Sequence, residues 1–280
     1  GLVLPPDTCD CHNHVFGPAA TFPYSQPRSY SPPDAPIAEY IALHSTLGVN
    51  RSVIVQPSVY GTDHRATLDA MRTYPAGRIR GVAVTGTDTP PERLRELHDA
   101  GIRGTRVNVL FKGGASMADA RRIAERVAPL GWHVQFLIDI SQAQEALVEM
   151  ASFPVDVVID HMGHMPAALG PGHPAFQSLL RLLGTGRCWV KLSGPYRTSA
   201  LEFPYRDVDP FVEALVSCNP ERLVWGTDWP HPAIAKAMPD DGALVDLLAT
   251  WLPGERLRRQ VLVENPARLY GFPVPLSNAP

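Results

Sequence analysis

"IRGTRVNVLFKGGASMADARRIAERVAPLGWHVQFLID", residues 102–139, contains two apolar runs with a helical pattern between them. The runs 102–109 and 133–139 are rich in β-branched and aromatic residues and read as strands. Between them, "MADARRIAERVAPLG" (117–131) carries its apolar residues at helical spacing and stops at Gly131. Neither run alternates cleanly between apolar and polar, which is the pattern of a strand buried on both faces. The same unit recurs along the chain. Runs 8–16, 51–57, 79–85, 155–161, 188–194 and 222–228 are also strand-like, and a helical pattern follows each. Eight βα units in 280 residues predict a (β/α)8 TIM barrel, one domain over residues 1–280. A doubly wound sheet would require a glycine-rich phosphate fingerprint after an early strand, and none occurs.

Hydrophobic residues make up 45% and charged residues 19%, a globular balance. A net charge of -3 argues against a nucleic-acid partner. No run of 18 apolar residues occurs, so no membrane span is expected. The opening "GLVLPPDTCD" lacks the basic region and apolar core of a signal peptide. Cys9, Cys11, Cys188 and Cys218 are too few for a disulfide framework and suit a reducing cytoplasm. The sequence leaves the oligomeric state open. Residues 17–36 form a proline-rich stretch without periodicity, a loop length that commonly serves function.

In barrels of this kind the active site lies at the C-terminal ends of the strands. Those ends carry His12 and His14; Gln56 and Ser58; Arg106 and Asn108, with Lys112 beyond; Asp160 and His161; Lys191 and Ser193, with Tyr196 and Arg197; and Asp228, followed by His231. Residues i and i+2 of a strand share a face, so His12 and His14 emerge side by side. Taken singly, each of these has a plain reading: a core histidine, Asp228 as a cap, Lys191 as a solvated stem. Taken together they place three imidazoles and a carboxylate in one mouth.

"DCHNHVFGP" (10–18), "DHMG" (160–163), "WGTDWPH" (225–231) and "LVENPARLYG" (262–271) resemble the amidohydrolase superfamily. "VIVQPSVYGTD" (53–63), "GIRGTRVN" (101–108) and "VKLSGPYR" (190–197) extend the resemblance to its 2-pyrone-4,6-dicarboxylate lactonase group, over residues 10 to about 272. The resemblance implies an enzyme that hydrolyses a small anionic lactone in aromatic or sugar-acid catabolism. On that basis Asp228 is the general base. His12, His14 and His161 donate hydrogen bonds to the lactone carbonyl. Arg106, Lys112 and Arg197 meet the substrate's carboxylates, and Tyr30 and Ser58 add hydroxyls. The chain departs from the group at Phe136 and Leu137, where a tyrosine stands, and at Lys112, where an arginine stands.

Metal-dependent members of the superfamily hold a divalent ion through the H-x-H pair, a strand-five histidine and the strand-eight aspartate. Here strand five opens on His133, at the wrong end of the barrel, and the mouth lacks that imidazole. The lactonase group is regarded as working without a metal, so no cofactor is expected. The alternative is one Zn2+ on His12, His14 and Asp228. Rival activities are a sugar-acid lactone isomerase or hydrolase, a zinc-dependent muconolactone-type hydrolase and a zinc-dependent decarboxylase. A non-enzymatic metabolite-binding barrel would gain nothing from a carboxylate facing an anionic ligand.

Overall fold

The structure is a computed structural model that describes residues 1–110 and 116–273. The strands are β1 (Cys9–Asn13), β2 (Arg51–Val55), β3 (Ile79–Ala83), β4 (Ile102–Asn108), β5 (His133–Leu137), β6 (Val157–Ile159), β7 (Cys188–Leu192) and β8 (Leu223–Trp225). They form one parallel sheet in sequence order, as a (β/α)8 barrel requires. Two backbone bonds close it: His14 N–H donates to the Trp229 carbonyl at 2.9 Å, and Asp228 N–H to the His12 carbonyl at 2.8 Å.

The absence of clean alternation in the strands has a direct cause: both faces are buried, in different cores. Val53 and Val55 pack inside the barrel with Cys9, Cys11, Val158 and Val224, over a plug that includes Tyr270. Ile54, Val134, Ile159 and Val190 face the outer layer. The helix Met117–Val127 shows how that layer is covered. Ser116 caps it by accepting the Asp119 N–H at 3.1 Å, and Ala120, Ile123, Ala124 and Val127 form its buried stripe. No helix among the described residues is long and apolar enough to cross a membrane.

Several strands end before their apolar runs do. Run 155–161 gives only Val157–Ile159 to the ladder, and run 222–228 only Leu223–Trp225. The residues beyond are the polar ones, and two of them leave the sheet in the left-handed region: His161 at φ 50° and Asp228 at φ 59°. That conformation costs of order 1–3 kcal/mol for a non-glycine residue and clusters at functional sites. In β1 the register shifts between Asp10 and Asn13, an irregularity that re-aims side chains. Cys9 and Cys11 stay in the inner core while His12 and His14 reach the mouth.

Asp10 ties the two ends of the sheet together. Its buried carboxylate accepts from Thr227 N–H at 2.9 Å, Thr227 O–H at 2.6 Å and Tyr40 O–H at 3.0 Å, and meets His44 Nε2 at 3.1 Å. Gly226 lies in this seam for want of room. A Cβ there would stand 2.6 Å from the His12 backbone nitrogen.

Candidate active site

A cavity of about 350 Å³ opens at the C-terminal mouth of the barrel, lined by His12, His14, His161, Asp228, Arg106 and Arg197 among others. The His12 and His14 rings lie 5.0 Å apart and those of His12 and His161 4.8 Å apart. The side-by-side emergence expected of His12 and His14 is thus what the fold produces.

Asp228 uses its two oxygens differently. Oδ2 accepts from Tyr196 O–H and, at 2.8 Å, from Arg197 Nε. Oδ1 is buried without a hydrogen-bond partner among the described residues, 3.6 Å from His12 Nε2 and 4.0 Å from His161 Nε2. Burial pushes this carboxyl up, but Arg197 and the surrounding imidazoles outweigh it and hold it well below the ordinary carboxylate range. It is an ionised group with one free acceptor facing the cavity. Tyr196 is held in turn by His231 at 2.7 Å, and His231 by Asp241 at 2.9 Å. His231 therefore supports Asp228 through Tyr196, a role that its position after Trp229 and Pro230 does not reveal.

The imidazoles are not equivalent. His14 Nδ1 lies 2.8 Å from the Val55 carbonyl, which only accepts, so its hydrogen sits there and Nε2 carries a lone pair. Burial, then Arg106, lowers His14 to about 3, so it is neutral at pH 7. The expectation that His14 donates to a carbonyl is corrected on this point: its cavity-side nitrogen accepts. Burial also takes His12 and His161 well below the ordinary histidine value. His161 Nδ1 is 2.8 Å from Ser193 Oγ.

The expected cations fare differently. Arg106 is buried, with one guanidinium N–H on the Gln56 carbonyl at 3.1 Å and Nε without a partner among the described residues. Arg197 spends Nε on Asp228 and a second N–H on the Pro232 carbonyl at 2.8 Å. Its first task is to hold the carboxylate. Lys112 lies outside the described residues. Tyr30 and Ser58 both line the cavity, and burial raises the Tyr30 hydroxyl so that it remains a neutral donor. His164 also lines the cavity, whereas His173 caps the helix Pro174–Gly184 by accepting the Ala175 N–H.

Lys191 is the largest surprise. Far from being a solvated stem, it is fully buried. Its Nζ lies 3.0 Å from His12 Nδ1, 2.7 Å from Gln135 Oε1 and 3.5 Å from Asp160 Oδ1. Burial lowers the ammonium and Asp160 opposes the fall; burial likewise raises Asp160 and Lys191 opposes that. A signal was present in the sequence. A lysine inside a strand buried on both faces cannot reach water and must be paired.

Donor atoms of His12, His14 and Asp228 lie within 4.8 Å of one another, close enough to hold a metal ion. His14 and Asp228 each present a free electron pair. His12 fits less well, because a metal-bound imidazole donates its second N–H to an acceptor, and its second nitrogen here faces the Lys191 amine. His133 sits at the base of β5, away from the mouth.

Buried neutral histidines make the fold acid-labile. His12, His14, His64, His133 and His161 are all held below the ordinary value, His64 at about 4 and His133 at about 3. Below about pH 6.5 the unfolded chain takes up protons at these groups that the folded chain refuses. Stability then falls with pH by up to about 1.4 kcal/mol per unit for each group. Asp160, raised in the fold, works in the opposite direction as a single group. Urea midpoints are expected to drop steadily from pH 7 to pH 5. A flat profile would show that these imidazoles titrate freely.

The amidohydrolase family model matches residues 9–272. The chain is 38% identical over 276 residues to a 4-sulfomuconolactone hydrolase of Hydrogenophaga intermedia, covering 96% of this chain and 90% of that protein. It is 38% identical over 278 residues to a 2-pyrone-4,6-dicarboxylate hydrolase of Comamonas testosteroni, covering 95% and 91%. A crystal structure of the 2-pyrone-4,6-dicarboxylic acid hydrolase type from Acinetobacter baumannii, with citric acid bound, superposes with a TM-score of 0.84 at 28% identity, covering 95% of this chain and all of that one.

Proposed function

We propose that this chain, which belongs to the amidohydrolase family, hydrolyses the ring ester of a small lactone bearing carboxylate or similar anionic groups. The observation that carries this reading is Asp228 Oδ1, an ionised, buried oxygen without a partner among the described residues, facing a cavity that also holds the Arg106 guanidinium. The molecules named for the relatives (a sulfonated muconolactone, a pyrone dicarboxylate) and the citric acid in the third are all small polyanions.

Water binds between two acceptors, Asp228 Oδ1 and His14 Nε2. Asp228 takes one proton as the water oxygen forms a bond to the lactone carbonyl carbon. The carbonyl oxygen gains charge and is met by the neutral imidazoles His12 and His161 as donors. The ring C–O bond then breaks, and the proton on Asp228 returns to the departing oxygen. A pyrone-type ring releases an enolate, which needs little acid assistance. No step requires a metal. If His14 and Asp228 held one, it would supply Lewis-acid polarisation. Arg106, whose Nε has no partner among the described residues, pairs with a substrate carboxylate. The free cysteines suit a reducing compartment, and we place the enzyme in the cytoplasm.

The test is a panel of pyrone, muconolactone-type and sugar-acid lactones, each with and without its carboxylates. Hydrolysis restricted to anionic lactones is expected. Arg106→Ala should raise KM for a carboxylated lactone about 10–100-fold with a smaller change in kcat, as loss of a charge-assisted contact made equally in ground and transition states predicts. Equal KM values for wild type and variant would remove Arg106 from the binding set. Failure to hydrolyse any lactone would overturn the reading.

A further inference from the structure

His12 faces a different neighbour at each ring nitrogen: Lys191 at Nδ1, 3.0 Å away, and Asp228 Oδ1 at Nε2, 3.6 Å away. The direction of the first bond follows from the chain of partners behind it. The Asp160 carboxylate accepts the Gln135 amide N–H at 3.1 Å. That turns Gln135 Oε1 toward Lys191, 2.7 Å away, and the ammonium donates to it. An ammonium has three donors and no acceptor, so its contact with His12 Nδ1 is also a donation. Nδ1 then carries a lone pair, and the hydrogen of neutral His12 sits on Nε2. Asp160, Gln135, Lys191 and His12 are all buried, so this polarity is set inside the barrel.

We infer that Lys191 is a positioning residue that commits His12 to the Nε2–H tautomer, making it a donor to the substrate carbonyl and withdrawing it from a metal-ligand set with His14 and Asp228. The donor consequence rests on the lactone-hydrolase reading; the tautomer and its effect on metal affinity do not. Asp160 Oδ1 lies 3.7 Å from His12 Nδ1, behind the ammonium. With the ammonium gone, that carboxylate becomes the acceptor for an Nδ1–H. The imidazole takes the other tautomer, and its Nε2 lone pair joins His14 and Asp228. A carboxylate–imidazole pair is the usual outer support of a metal-bound histidine. One lysine thus separates a metal-free centre from a metal site built of the same residues.

The experiment is Lys191→Met, which shortens the unbranched side chain by one atom and removes its charge. Two-bond nitrogen–proton spectra of 15N-histidine-labelled protein read the tautomer, and titration calorimetry with zinc alone reads the affinity. Wild type is expected to show His12 as Nε2–H and the variant as Nδ1–H, with zinc bound at least about tenfold more tightly by the variant. Without zinc, the variant's kcat should fall about 100-fold with KM little changed. If the single variant does not fold, Lys191→Met with Asp160→Asn removes the buried carboxylate together with the ammonium and still offers an amide oxygen to Nδ1–H. An Nδ1–H tautomer in wild type, or an unchanged tautomer in a folded variant, overturns the inference. A tautomer change without tighter zinc overturns its metal half. A wild type that shows the expected tautomer yet opens no lactone overturns the functional reading and leaves this one standing.

Discussion

Asp228→Asn is expected to lower kcat by about 10²–10⁴-fold, the range for loss of a general base, the role proposed for it. The substitution nearly preserves shape, and an amide oxygen can still accept from Tyr196 and Arg197. What disappears is the free acceptor facing the cavity. Oδ1 has no partner among the described residues, so the defect falls on the chemical step more than on binding. Steady-state kinetics on a carboxylated lactone separate the two: kcat collapses while KM moves far less. Retained turnover would remove Asp228 from the role of base. The charge around this group also shapes the wild-type pH profile. Because Arg197 and the imidazoles hold Asp228 well below the ordinary carboxylate range, it stays ionised wherever the protein is folded. An acid limb in kcat/KM between pH 4 and 6 is then expected from unfolding, not from Asp228.

Asp10→Ala costs about 3–5 kcal/mol of folding stability, the scale for breaking a buried charged network by removing one member. The carboxylate holds Thr227 through two bonds and also engages Tyr40 and His44. Deleting it strands several buried donors at once, each costing about 1–3 kcal/mol if it finds no substitute. Urea unfolding followed by circular dichroism measures the loss, and less than about 1 kcal/mol would show that the network can rearrange. The same change loosens the Thr227–Asp228 segment, so activity should fall as well. Restoring the hydrogen bonds with Asp10→Asn recovers only part of either, since an amide cannot accept at both ends.

The barrel was legible because its strands are buried on both faces and its helices are not. Each apolar run and each striped pattern, such as Ala120, Ile123, Ala124 and Val127, speaks for itself locally. The mouth residues were legible for a related reason: His12, His14, His161 and Asp228 stand where a strand gives way to a loop. Direction of hydrogen bonding was not legible. Whether His14 donates or accepts depends on the carbonyl of Val55, forty-one residues away in sequence. Arg197 reads equally well as a substrate clamp or as the partner of Asp228, and only its 2.8 Å contact decides. The partners of Lys191 and Gln135 were hidden for want of long-range pairing: they lie on β1, just past the end of β6 and on each other's strand.

Gly226 gives the site a history. The His12–Asp228 pair spans the seam where the first and last strands meet, and the backbones approach there so closely that no side chain fits. The groups proposed as donor and base are separated by nearly the whole chain and become neighbours only when that seam shuts. Contacts this distant in sequence are among the costliest to form early, because the intervening loop must be closed first. Turnover is therefore a reporter of completed assembly. During refolding, helices and most of the sheet can be in place while the reaction centre does not yet exist.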